Sequence, residues 1–203
     1  MLTIVDYGLG NLASIRNMLK KIGVPSLISN NQEDILKATK LILPGVGHFE
    51  KGMKNLHTLG IIPALNEAVL VNRIPILGIC LGMQLLTQHS EEGDTEGLGW
   101  INAKTKRFNF GNPTNLKIPH MGWNDVSFTQ KNDLTKDIIE IPRYYFVHSY
   151  YVECEEQENV LGICNYGFDF HAAVIKNNIA GYQFHPEKSH KFGMQLLNNF
   201  SNL

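Results

Sequence analysis

Two short segments carry the residue types that covalent catalysis requires. Gly78-Ile79-Cys80-Leu81-Gly82 has the form G-x-C-x-G and lies between an apolar run, Ile74–Ile79, and a stretch that reads as a helix. Small residues two before and two after the cysteine permit the sharp, strained turn of a nucleophile elbow. At a helix N-terminus the dipole favours the thiolate. The N–H of Leu81 would face the oxygen of a carbonyl attacked by the sulfur. A base and an orienting acid come from Gln183-Phe184-His185-Pro186-Glu187. His185 can take the thiol proton and return it to a leaving group, and Glu187 can hold the imidazole, provided the turn at Pro186 lets it reach back. A third part, Leu41-Ile42-Leu43-Pro44-Gly45-Val46-Gly47, places a loop with two glycines after a strand, and these can turn backbone N–H groups outward as oxyanion donors. Each part alone has an ordinary explanation: an inert packed cysteine, a packing histidine, a common strand-to-helix turn.

The elements around these segments indicate how they could meet. Leu2–Val5 reads as a strand, and Asn11 as the cap of a helix with apolar positions Leu12, Ile15, Met18, Leu19 and Ile22, stopped by Gly23. Pro25–Ser29 and Lys40–Leu43 read as strands, Ile62–Val71 as a helix, Ile74–Ile79 as a buried strand and Leu81–His89 as a helix. Strands alternating with helices predict an α/β fold with a mostly parallel sheet. The second half is richer in strands: Trp123–Phe128, Arg143–His148, Val160–Cys164, Phe170–Ile175 and Ile179–Phe184, with a tight hairpin at Asn177-Asn178. Lys191–Phe200 closes the chain as an amphipathic helix. No repeat or linker appears, so residues 1–203 read as one domain.

Composition excludes several classes. Lys and Arg number 18 against 19 Asp and Glu, a net charge of −1. That balance, with no basic cluster longer than Lys104–Arg107, leaves no footprint for nucleic acid. No apolar run approaches the ~18 residues of a membrane helix, and the first residues lack the features of a signal peptide. Three sparse cysteines, Cys80, Cys154 and Cys164, without C-x-x-C spacing, argue against a disulfide framework or structural zinc. The histidines are scattered, with no H-E-x-x-H, so no metal is expected. A cytoplasmic protein in a reducing compartment is the expectation. A dinucleotide-binding reading is also open, because Gly8-Leu9-Gly10-Asn11-Leu12-Ala13 satisfies G-x-G-x-x-A after a strand. The acid expected after the second strand is replaced by Ser29, Asn30 and Asn31. A non-catalytic binding subunit of the same fold is a further alternative, opposed by the intact Cys80, His185 and Glu187.

Taken together, the elbow through Gln84 and the segment His185-Pro186-Glu187 resemble the class I, triad-type glutamine amidotransferase family. Asp6–Asn11, Pro44–Gly47, Pro119–Asn124, Tyr145–Tyr150 and Gln183–Ser189 are similar to the branch of glutaminase subunits that serve imidazole glycerol phosphate synthases. The resemblance implies a flavodoxin-like three-layer sandwich with added antiparallel strands in the C-terminal half. It implies hydrolysis of glutamine to glutamate and ammonia through a Cys80 thioester, without a cofactor. It implies oxyanion donors at Gly47 and Leu81 and substrate contacts at Gln84, Glu92, His148, Ser149 and Tyr150. Glu92 suits the α-ammonium of glutamine on charge grounds. The implied partner is a (β/α)₈-barrel cyclase subunit in a heterodimer, met near Asn11, Trp123, Asn124, Tyr145 and Lys188, in histidine biosynthesis. His48, His190 and Leu98-Gly99-Trp100-Ile101 depart from the usual pattern. They leave open a paralogous subunit that supplies ammonia for amidation or amidination of a bacterial surface sugar.

Overall fold

Apolar residues that alternate along the strands and recur at helical spacing along the helices sort onto the two faces of one sheet. A computed structural model describes residues 1–111, 115–138 and 141–203. The first half runs β1 (Leu2–Val5), α1 (Leu12–Lys21), β2 (Ser26–Ser29), α2 (Gln32–Leu36), β3 (Lys40–Gly45), α3 (Phe49–Thr58), α4 (Ile62–Asn66), β4 (Ile76–Cys80) and α5 (Leu81–Leu85). The second half runs β5 (His89–Ser90), β6 (Thr95–Glu96), β7 (Ala103–Arg107), β8 (His120–Asp125), β9 (Ser127–Phe128), β10 (Arg143–His148), β11 (Tyr150–Cys154), β12 (Val160–Asn165), β13 (Asp169–Lys176), β14 (Ile179–Tyr182) and α6 (His190–Ser201).

The main sheet has the order β2-β1-β3-β4-β14-β13-β11-β7-β5-β6. Strands β2, β1, β3, β4 and β14 run parallel, and β13 and β11 continue it antiparallel. β8 and β10 form a separate antiparallel ribbon. Val5, Leu41 and Leu43 face a core filled by Ile35, Phe49, Leu56, Leu65 and Leu85. Ile4, Ile42 and Leu77 face the other way, onto Ile15 and Leu19 of α1 and Leu196, Leu197 and Phe200 of α6. Helices therefore cover both faces. This is the expected flavodoxin-like sandwich, with antiparallel strands added by the second half. α1 starts where Asn11 Oδ1 accepts from the Ser14 N–H at 3.3 Å and stops before Gly23, at φ +78°. No helix among the described residues is long and apolar enough to cross a membrane.

Several boundaries differ from expectation. The helix expected over Leu81–His89 ends at Leu85, and His89–Ser90 is a short strand. The apolar pattern continues, but N–H groups from the loop that follows capture the carbonyls that a longer helix would use: Leu98 bonds Leu85 and Trp100 bonds Leu86. The helix expected over Ile62–Val71 splits into α4 and a π-helical turn, Glu67–Val71. Strand β3 runs on through Pro44-Gly45. Helix α3, with buried Phe49, Met53 and Leu56 at helical spacing, and strands β7 and β11 were not anticipated. The turn Gly8–Gly10 is no nucleotide cradle. A Cβ at Gly10 would lie 3.1 Å from Pro44 Cβ, so the space beside that glycine holds the chain's own loop.

Two elbow glycines are required by packing. A Cβ at Gly82 would overlap the Leu43 carbonyl oxygen, and one at Gly78 would sit 2.7 Å from the Gly82 carbonyl group. Helix α5 thus lies with its backbone directly on β3 and β4 (no side chain fits between). Gly82→Ala should destabilise the protein by at least about 3 kcal/mol. Gly23→Ala, where nothing lies within 4 Å, meets only the left-handed penalty of about 1 kcal/mol. Denaturant unfolding of both variants checks this, and equal losses would contradict it.

Candidate active site

The three adjacent parallel strands β3, β4 and β14 deliver the three candidate segments to one edge of the sheet. Cys80 ends β4 with φ +54° and ψ −110°, a conformation rare outside glycine. Such a residue costs of order 1–3 kcal/mol and persists because its surroundings over-determine it. Here β4 pairs with β3 up to the register Gly45↔Cys80, and the glycine-mediated contact of α5 leaves no room to relax. The thiol is 6% exposed. α5 is only five residues long, so its dipole at Cys80 is weaker than the longer helix would have supplied.

His185 follows β14 and is fixed through its backbone. Its N–H donates to the Tyr145 carbonyl at 2.9 Å, and its own carbonyl accepts from Ser189 Oγ at 2.6 Å. The turn at Pro186–Lys188 does let Glu187 reach back: Glu187 Oε1 lies 2.8 Å from His185 Nδ1, with both side chains almost fully buried. α6 packs on this turn because Gly193 leaves space for the Pro186 carbonyl. Since the carboxylate accepts, Nδ1 carries a proton and Nε2 is the nitrogen left for the sulfur. Burial opposes a charge on His185, but the close approach of Cys80, the hydrogen bond to Glu187 and the negative charge of both raise its pKa to about 10. Nε2 has no partner of good geometry among the described residues. The effect of Cys80 is therefore one of close approach, short of a closed hydrogen bond.

Cys80 opens into a cavity of about 310 Å³. Gly47, Leu81, Gln84, Glu92, His148, Ser149 and Tyr150 all line it, so every expected oxyanion and substrate position meets there. Val46, Pro119 and Val147, which lie within the segments Pro44–Gly47, Pro119–Asn124 and Tyr145–Tyr150, line it as well. Gly47, two residues beyond β3, has φ +112°, a conformation that glycine adopts without steric cost. Glu92 is not at a helix end. It follows β5, and its Oε2 accepts from the Phe49 N–H at 2.8 Å, capping α3 where His48 provides no side-chain bond. His148 is held neutral, because burial pushes its pKa down to about 3. Its neighbour His120, 3.0 Å away, is lowered by burial to about 4. No group of three or more metal-ligating side chains is found among the described residues.

The expected partner-facing residues divide. Trp123 and Met121, on the same face of β8, are 41% and 61% exposed, Lys188 Nζ lies 5.4 Å over the Tyr145 ring, and Asn11 is exposed at the start of α1. Asn124 points to the other face of β8, donating to the Asn165 carbonyl at 2.9 Å and approaching His120 Nε2 at 3.3 Å. The residues that depart from the family pattern also have places. His190 stacks on Trp123 at 5.4 Å, and buried Trp100 donates to Asn66 Oδ1 at 2.9 Å.

Comparison with known proteins agrees with this arrangement. Residues 3–202 match the family model for class I glutamine amidotransferases. The imidazole glycerol phosphate synthase subunit HisH 2 of Methanococcus maripaludis is 58% identical over 200 residues, covering 98% of each chain. The protein of that name from Pseudomonas aeruginosa is 49% identical over 203 residues, covering 100% of each. A crystal structure of a glutamine amidotransferase shares the fold with a TM-score of 0.78 over 99% of each chain, at 18% identity. With a match that runs from the first strand to the last helix, this chain belongs to the class I glutamine amidotransferase family.

Proposed function

We propose that this chain is the glutaminase subunit of an imidazole glycerol phosphate synthase. It hydrolyses L-glutamine to L-glutamate and ammonia and passes the ammonia to a (β/α)₈-barrel cyclase subunit in histidine biosynthesis. The full-length relatives named as subunits of that synthase support the reading. The observation that carries the chemistry is the meeting of a strained, cavity-facing Cys80 with an imidazole already oriented by Glu187. The family match over residues 3–202 supports treating the chain as one domain.

Glutamine enters with its side-chain amide toward Cys80. The thiol proton passes to His185 before attack, the resulting thiolate adds to the amide carbon, and the carbonyl oxygen becomes an oxyanion between the N–H groups of Leu81 and Gly47. Imidazolium returns the proton to the amide nitrogen, the carbon–nitrogen bond breaks, and ammonia leaves a γ-glutamyl thioester. Water, deprotonated by His185, then cleaves the thioester to glutamate and free thiol. Glu92 holds the α-ammonium, while Gln84, Ser149 and Tyr150 hold the rest of the substrate. A neutral His148 adds no cation to compete with the imidazolium. Exposed Trp123 with Tyr145, Lys188 and Asn11 form the docking face for the barrel. Because the Tyr145 carbonyl accepts from the His185 N–H, that face is one hydrogen bond from the base.

Cys80→Ala, copurified with the barrel subunit, should lose glutamine-dependent synthesis by about 10⁴-fold or more yet keep synthesis driven by added ammonium. Ammonia release that persists in the variant would contradict the role of Cys80. Synthesis absent with the barrel's own ligand but present with a sugar acceptor would contradict the histidine pathway. Glu187→Gln removes one of the groups that raise the His185 pKa, so the imidazolium needed by leaving ammonia is lost sooner on the alkaline side. The alkaline limb of kcat/KM should therefore move to lower pH. A pH–rate profile with an unmoved limb would contradict it.

A further inference from the structure

The floor of the site contains a buried polar chain that the steps above leave unused, and a single backbone atom sets its directions. The Tyr150 carbonyl can only accept. Gln84 Nε2 reaches it at 3.0 Å and His148 Nδ1 at 2.7 Å. Gln84 must therefore present its NH₂ to this carbonyl. The same Nε2 lies 3.1 Å from the amide of Gln183, which must meet it with Oε1. With Oε1 engaged, Gln183 turns its own NH₂ toward Cys80, and Nε2 stands 3.8 Å from Sγ. Neither amide can flip without setting two donors or two acceptors against each other.

Gln183 has little freedom to leave. It is 0% exposed, Gln84 is 5% exposed, and the Gln183 N–H donates to the Ala172 carbonyl at 2.9 Å. A buried polar side chain between aromatic strands is costly unless its groups are satisfied, and here one donor is satisfied only by sulfur. A hydrogen bond from a neutral amide to an anionic acceptor is stronger than one to the neutral form. An amide also cannot titrate, so it favours thiolate without competing with His185 for the proton. The other ionisable group beside the elbow, Tyr7, has a buried hydroxyl without a partner among the described residues. Burial, and then the charge of Cys80, push its pKa well up, so it stays neutral.

We propose that Gln183 is a further catalytic residue, donating an amide N–H to the Cys80 sulfur so that the thiolate is favoured before attack and again as the thioester breaks. Its donor end is set by the chain Tyr150 carbonyl–Gln84–Gln183. This rests on the reading of Cys80 as nucleophile. It also supplies stabilisation that the one-and-a-half-turn α5 gives only weakly.

The test uses the complex with the barrel subunit and Gln183→Met, which keeps the length and removes the donor. Two quantities are measured: iodoacetamide alkylation of the Cys80 peptide against pH by mass spectrometry, and steady-state glutamine hydrolysis. The alkylation profile should move about one pH unit higher, and kcat should fall about tenfold with KM little changed. Gln84→Leu, which keeps Gln183 but frees its amide to turn, should move the profile the same way by less. It also tests the chain if the first variant folds poorly. Profiles that superimpose on the parent's in both variants overturn the proposal. Cys80→Ala separates the two claims. Turnover that survives there sinks the nucleophile itself, whereas an inactive Cys80→Ala beside unshifted Gln183→Met and Gln84→Leu profiles sinks only the role of Gln183.

Discussion

Backbone meets backbone where Gly82 of α5 lies against the Leu43 carbonyl of β3, and the presentation of the thiol follows from that contact. A side chain at residue 82 would push α5 off the sheet and let Cys80 relax from φ +54°. Because β4 is central among parallel strands, the contact is braced by β3 on one side and β14 on the other. The same two neighbours bring the Gly47 loop and His185. Rigid strands hold the proposed nucleophile and base, and the turns after them present those groups, as in other open α/β sheets.

Electrostatics in the site follow from burial and from fixed acceptors. Glu187 and the Tyr150 carbonyl each act as a one-way acceptor, and each sets the proton positions of its neighbours. Glu187 leaves His185 with its free nitrogen toward the sulfur and helps to keep the ring protonated. The Tyr150 carbonyl leaves His148 with its proton on Nδ1, so Nε2 must accept from His120. Burial lowers both of those pKa values to about 3 and 4. Two neighbouring imidazoles in aromatic surroundings thus remain uncharged, while a third, His185, has its pKa raised to about 10.

Much of this was legible in the sequence, for identifiable reasons. The elbow and the segment His185–Glu187 are local, so spacing alone shows what they can do. β1 and β14 are short buried runs and α1 and α6 follow helical patterns, and all four fall within a residue or two of expectation. The C-terminal end of α5 was not legible, because loop residues 97–101 compete for its carbonyls. The placement of Glu92 on the start of α3 depends on residues 43 apart, and that of Gln183 on the sulfur on residues 103 apart. No local pattern encodes either one. Asn124 and Trp123 belong to one motif in the sequence, and strand alternation places them on opposite faces of β8.

The account stands on a covalent bond to one sulfur. Acid quenching of the complex during turnover of glutamine labelled in its carbon chain, followed by peptide mapping, reads that bond directly. The account predicts label on the peptide containing Cys80, as an alkali-labile γ-glutamyl thioester that disappears in Cys80→Ala. Label on another residue, or turnover with no label on Cys80 at any quench time, would contradict it.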